Sequence, residues 1–133
     1  MNFSSRFLQQ KSKSEILDSK HRTRTHGKEM WNVLHITSVF LPEKPNKEEV
    51  DHFTNFVKGI LHFGTKFEST WHEYTIKYIK DNPFNFVDRE SSMLWICNFH
   101  NDVNQKLGKD LFECTKENIS QRWGNYQNVA NII

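Results

Sequence analysis

Chain breakers are scarce in this sequence, and where they fall decides how it can fold. Its 133 residues hold 5 glycines and 3 prolines, and the prolines are Pro42, Pro45 and Pro83. Proline removes a backbone donor and crowds the preceding turn, so helices stop at or just before it. Between and beyond these stops, apolar residues recur at i, i+3, i+4 and i+7, the period of a helix face rather than of a strand. The expectation is an all-α domain.

The first helical block runs from about Lys28 to Phe40, with Trp31, Leu34, His35 and Ser38 along one stripe, and Leu41-Pro42-Glu43-Lys44-Pro45 stops it. Asn46 is placed to cap a second helix, with Glu48 and Glu49 complementing the dipole in its first turn. Its buried face is read as Val50, Phe53, Val57, Ile60 and Leu61, with Gly64 as terminator. A third block, about Phe67 to Lys80, carries Trp71, Tyr74 and Tyr78 on one side and ends at Asp81-Asn82-Pro83. Asp88 caps a fourth, Arg89 to Leu107, whose face holds Met93, Ile96, Cys97, His100, Val103, Asn104 and Leu107, with Gly108 closing it. A short fifth segment around Asn118 to Gly124 brings in Trp123. Short connections between four helices make a small antiparallel bundle the economical arrangement. Residues 27–124 form the expected domain, between a polar tail (1–26) and a second tail (125–133).

Composition narrows the function classes. Eighteen Lys and Arg stand against 16 Asp and Glu, a formal charge of +2, too balanced to demand nucleic acid or an anionic membrane as partner. No run of apolar residues approaches the roughly 18 that a membrane-spanning helix requires. The first residues lack the apolar centre of a secretory signal; their Ser, Lys and Arg bias resembles a transit peptide, but Glu15 and Asp18 speak for an ordinary polar tail. Two cysteines, Cys97 and Cys114, allow at most one disulfide within the chain.

Chemistry collects on the fourth helix. Cys97, His100, Asn101 and Asn104 put a thiol, an imidazole and two amides within two turns, among residues otherwise suited to a core. Each buried polar group left without a partner costs on the order of 1–3 kcal/mol. One reading is that His100 and Asn101 satisfy neighbouring backbone groups. The other is a flat polar ligand, since Trp31 and His35 repeat the pairing of an aromatic ring with an imidazole one turn apart.

The segment Cys97-Asn-Phe-His100-Asn101-Asp-Val103-Asn104-Gln-Lys106-Leu107-Gly108-Lys109-Asp-Leu-Phe112-Glu-Cys114, with sixteen residues between its cysteines, resembles the flavin-binding signature of the Erv/ALR family of FAD-linked sulfhydryl oxidases. Gly27-Lys28-Glu-Met-Trp31-x-x-Leu34-His35 resembles that family's opening helix, Leu41 to Pro45 its first connection and Arg122-Trp123 its late tryptophan. The similarity covers about residues 27 to 124. It implies a four-helix bundle plus a short fifth helix with FAD at the bundle's mouth.

Position by position, the resemblance implies that Trp31 and Trp123 contact the flavin rings and adenine. His35 and His100 match imidazoles near the cofactor, and Asn101 and Asn104 match amides that bond to it. Lys106 and Lys109 match cations beside the adenosine and pyrophosphate, and Lys28 stands where the family usually has Arg. Cys97 and Val103 belong to the same signature. Cys97 and Cys114 match a structural disulfide; two free thiols, or zinc held by Cys97, His100, Cys114 and His35, are the alternatives.

The departure that matters lies at the start of the third block, where active members carry Cys-x-x-Cys. Counting back from Pro83, those cysteines fall at Phe67 and Thr70 or at Glu68 and Trp71, and neither register recovers a thiol. Ser69 or Thr70 cannot replace one, because thiol–disulfide exchange needs sulfur at both ends. No catalytic residue is therefore assigned. Three readings follow: an FAD-binding protein without its own dithiol that serves as an inactive structural or assembly subunit; a thiol oxidase using a dithiol supplied in trans, with electrons passing to oxygen or a cytochrome; and a pseudoenzyme that has lost FAD as well. By family analogy the expected location is the mitochondrial intermembrane space. The expected partner is a larger complex or a second copy meeting the first two helices near His52, Phe56, Lys58 and Gly59.

Overall fold

The computed structural model describes residues 13–66 and 69–124, with the side chains of 13–26 and Ser69 left aside. Five helices follow one another: α1 Lys13–Phe40, α2 Lys47–Gly64, α3 Ser69–Asp81, α4 Arg89–Lys106 and α5 Lys116–Trp123. Strands do not occur among the described residues. The architecture is the all-α bundle with a short fifth helix that the periodicity predicts.

Local chemistry sets the starts. Asn46 accepts the Glu49 N–H at 2.8 Å while Glu49 accepts the Asn46 N–H at 3.0 Å, a reciprocal box that satisfies two orphan donors of α2. Asp88 does the same with Ser91 at the head of α4, and Thr115 caps α5 by accepting the Asn118 N–H at 3.1 Å. At the other end of α4, Gly108 takes φ +69°, a left-handed turn that glycine adopts without strain.

Helix α1 is the central element and packs against α2, α4 and α5. Leu34, Phe53, Val57, Leu61, Ile96, Phe99 and Val103 fill the main core, and Met93, Cys97, Ile119 and Trp123 form a second cluster under α5. Helix α3 leans on the bundle through large rings: Tyr78 lies 4.7 Å from Phe99 and 5.5 Å from Trp95 between centroids, and the Trp95 indole donates to the Asn82 carbonyl at 3.1 Å.

Several boundaries differ from the sequence reading. Helix α1 starts at Lys13, not near Lys28: an apolar stripe reports where a helix packs, and residues 13–26 contain neither proline nor glycine to stop one. Helix α5 starts at Lys116, because Thr115 rather than a later residue supplies the cap. Gly64 is the last residue of α2 and buried, and the cap itself is Thr65, in right-handed geometry. On α4, Leu107 is exposed while Phe99 and Ser92, off the expected stripe, are fully buried. That helix has α1 and α5 on one side and the rings of α3 on another, so more than one face is covered. Phe67, Glu68 and the tail at 125–133 lie outside the described residues.

Candidate cofactor site

Helices α1 and α4 bring their ring pairs together. The Trp31 indole stacks on the His100 imidazole with centroids 4.1 Å apart and planes 6° from parallel, and His35 stacks on Trp123 of α5 at 3.7 Å and 10°. The two imidazoles meet in a 2.8 Å hydrogen bond between His35 Nε2 and His100 Nδ1. Arg122 lies 5.1 Å over the Trp123 ring, and the Trp123 N–H donates to Asn32 Oδ1 at 3.4 Å.

Burial dominates the electrostatics here. It pushes His35 down from 6.5 to about 3, helped by His100 and the Arg122 cation, and His100 down to about 4, helped by Lys109 and Arg122. Both rings are thus neutral near pH 7, and a single proton serves the bond between them. His35 is 0% exposed and its Nδ1 has no hydrogen-bond partner. A buried ring nitrogen of that kind calls for a partner, as donor or acceptor according to the tautomer that the bond to His100 selects.

Of the other residues singled out from the sequence, Cys97 is buried and disulfide-bonded to Cys114, with 5.9 Å between Cα atoms. Sulfurs bonded to each other are not thiolate ligands, and no group of three or more metal-ligating side chains stands together among the described residues. Val103 is core. The Asn101 amide is engaged with backbone: Nδ2 donates to the Phe112 carbonyl at 2.6 Å and to Cys114 Sγ at 3.3 Å, and Oδ1 accepts the Phe112 N–H at 2.9 Å. That is the backbone-satisfying reading of this residue. Asn104 is half-buried and its carbonyl accepts the Lys109 N–H at 2.9 Å. Lys106 pairs with Asp102 at 2.5 Å and sits 4.8 Å over the Tyr74 ring, directed to α3. Lys28 and Lys109 are exposed.

At the start of α3, Thr70 is exposed and the half-buried Trp71 brings its ring 6.3 Å from Trp31. Phe67 and Glu68 lie outside the described residues. Two features escaped the sequence reading. The Thr65 hydroxyl donates to the Leu61 carbonyl at 2.6 Å, so its oxygen accepts from His72 Nδ1 at 3.0 Å. Asn32 reaches Trp123 across 91 positions, a distance over which no local spacing carries a signal.

A helical bundle with a cluster of stacked rings where its first, fourth and fifth helices meet, tied by one disulfide ahead of that short fifth, is the class of protein that fold and site define. The Erv1 / Alr family model matches residues 28–124, and the chain belongs to that family. It is 35% identical over 92 residues to the mitochondrial FAD-linked sulfhydryl oxidase erv1 of Schizosaccharomyces pombe, covering 66% of this chain and 48% of that protein. Identity to the FAD-linked sulfhydryl oxidase ERV1 of Arabidopsis thaliana is 29% over 101 residues, covering 76% and 51%. The chain thus spans about half the length of these curated relatives. Among solved structures, the FAD binding domain of Erv1 from Saccharomyces cerevisiae superposes with a TM-score of 0.67 at 27% identity, covering 74% of this chain and 90% of that one.

Proposed function

We propose that residues 27–124 form an FAD-binding domain of the sulfhydryl-oxidase type that does not run the dithiol reaction on its own and serves as a structural or assembly subunit. The residues suit the group. Trp31, His35, His100 and Trp123 gather flat rings of the kind an isoalloxazine or adenine packs beside, His35 Nδ1 is a buried ring nitrogen without a partner, and Lys109 and Arg122 supply cations for a pyrophosphate. Bound there, FAD would supply a two-electron couple able to take electrons from a dithiol delivered by another protein and pass them to oxygen or a cytochrome. This chain's own residues bind and orient it; at neutral pH the His35 and His100 pair stays uncharged and adds no positive charge of its own.

The observation that carries the inactive reading is Trp71. In one of the two registers for the missing cysteines an indole stands in place of a thiol, beside Trp31, and both cysteines of the chain are bonded to each other. Similarity to mitochondrial relatives supports placing it in that organelle, and the intermembrane-space side is our reading by family analogy. The assignment predicts a yellow protein that releases FAD on denaturation and consumes no oxygen with a small dithiol. Oxygen uptake only after addition of a Cys-x-x-Cys-bearing protein gives the in-trans reading instead. A colourless protein that takes up no FAD removes both.

A further inference from the structure

Where α2 ends and α3 begins, histidines from the two helices face each other. His62 lies in the last turn of α2 and His72 near the start of α3, with ring centroids 6.1 Å apart and planes at 72°. The half-buried His72 ring is held in place. Thr65, fully buried just past α2, donates its single hydroxyl proton to the Leu61 carbonyl at 2.6 Å, so its oxygen accepts from His72 Nδ1 at 3.0 Å. A neutral ring that donates at Nδ1 carries its lone pair on Nε2. Metal-binding imidazoles are secured in this way: the second nitrogen gives its proton to an oxygen, which fixes tautomer and orientation. His62 is exposed, with the Phe63 ring edge-on at 4.8 Å, so its ring has the freedom to complete a pair.

The spacing suits an ion rather than a direct bond. The hydrogen-bonded imidazoles His35 and His100 have centroids only 5.1 Å apart. Adding the size of the ring to a metal–nitrogen bond of about 2.1 Å puts two imidazoles on one ion with centroids roughly 5–6 Å apart, and the pair at α2 and α3 stands at the upper end of that range. Among the described residues no third His, Cys, Asp or Glu joins them. The chain thus offers two nitrogen ligands at a site open to water, which supplies the rest.

We propose that His62 and His72 bind a divalent transition-metal cation of the zinc or copper kind, which clasps the end of α2 to the start of α3. Imidazole suits these ions, whereas magnesium and calcium favour oxygen. The site shares no residue with the ring cluster of His35 and His100, and it stands whether or not FAD binds.

The test titrates the intact, chelator-washed chain with Zn²⁺ against a zinc indicator, alone and with excess Mg²⁺. The unaltered protein is expected to take up one equivalent that Mg²⁺ does not displace. His62→Gln and His72→Gln should each weaken it at least about tenfold, and Thr65→Val, which keeps both imidazoles, should weaken it about tenfold, as loss of a ligand's outer partner does. Zn²⁺ should also raise the unfolding midpoint of the unaltered chain, and not that of His62→Gln, because an ion that binds the folded state stabilises it by mass action. His62 is exposed, so its replacement does not threaten the fold and decides the matter even if His72→Gln or Thr65→Val fails to fold. No bound zinc, a zinc equivalent that survives His62→Gln, displacement by Mg²⁺, or a folded Thr65→Val that binds like the unaltered chain overturns the proposal.

Discussion

His35 is the residue on which the site turns. It is wholly buried, bonded at one nitrogen, unpartnered at the other and sandwiched against Trp123. Its depressed pKa has a measurable consequence. Because the folded state holds His35 and His100 neutral well below 6.5, the unfolded chain binds protons in that range that the folded chain refuses. The contribution is present above about 6.5 and lost as pH falls through the folded values. Between about pH 6.5 and 5 ordinary carboxylates are still largely ionised, so the decline there belongs to histidine. Denaturation midpoints of the ligand-free protein should fall across this window, and a His35→Gln/His100→Gln variant should fall less; equal slopes would remove the argument. The recurrence of an aromatic plus an imidazole one turn apart made Trp31, His35 and His100 legible in the sequence. Nothing made the direct bond between the imidazoles legible, because 65 positions separate them and the pairing depends on how α1 crosses α4. For Asn101, spacing put an amide on a chemical face but could not say that its partner is the backbone of Phe112 rather than a ligand.

Elements were legible in proportion to their punctuation. Helix α2, with Asn46 before it and Glu49 three residues on, falls where the capping pattern puts it, and so does α4 behind Asp88. Helix α1 does not, because its first half has no stop signal and no apolar stripe, and periodicity detects packing rather than helicity. At the end of α5, Gly124 follows from neither rule. A β-carbon there would lie 2.7 Å from the Ser120 carbonyl oxygen and 2.8 Å from Val39 Cγ1, and the backbone oxygen cannot step aside. Gly124→Ala should therefore destabilise the protein by about 1–3 kcal/mol, as overpacking does, read as a lowered unfolding midpoint. The disulfide acts on the same region. With a sequence separation of 17 from one cysteine to the other, its loss should lower stability by about 3 kcal/mol in the loop-entropy picture. A Cys97→Ala/Cys114→Ala variant compared with the oxidised protein by denaturant titration measures this; unchanged midpoints would show that Asn101 and the second core cluster hold the segment alone.

Across the whole molecule, the ring cluster and the surface best suited to a partner lie at different faces of α1. Between α1 and α2 an apolar groove of about 530 Å³ is lined by Met30, Val33, Phe56, Gly59, Ile60 and Phe63, with Phe63 75% exposed. No helix among the described residues is long and apolar enough to cross a membrane. As family resemblance implies, a second copy is the expected occupant. Phe63→Glu, which changes nothing inside the bundle, should convert a dimer into a monomer in light scattering after gel filtration, and a dimer that survives it places the contact elsewhere. The most direct test of the central claim, a flavin pocket without its own dithiol chemistry, is anaerobic mixing of the FAD-loaded protein with dithiothreitol while flavin absorbance is followed. The unaltered protein should keep its flavin oxidised, reduced no faster than free FAD. Variants with cysteines at 67 and 70, or at 68 and 71, should bleach in at least one register. Rapid bleaching of the unaltered protein, matching those variants, would contradict the account.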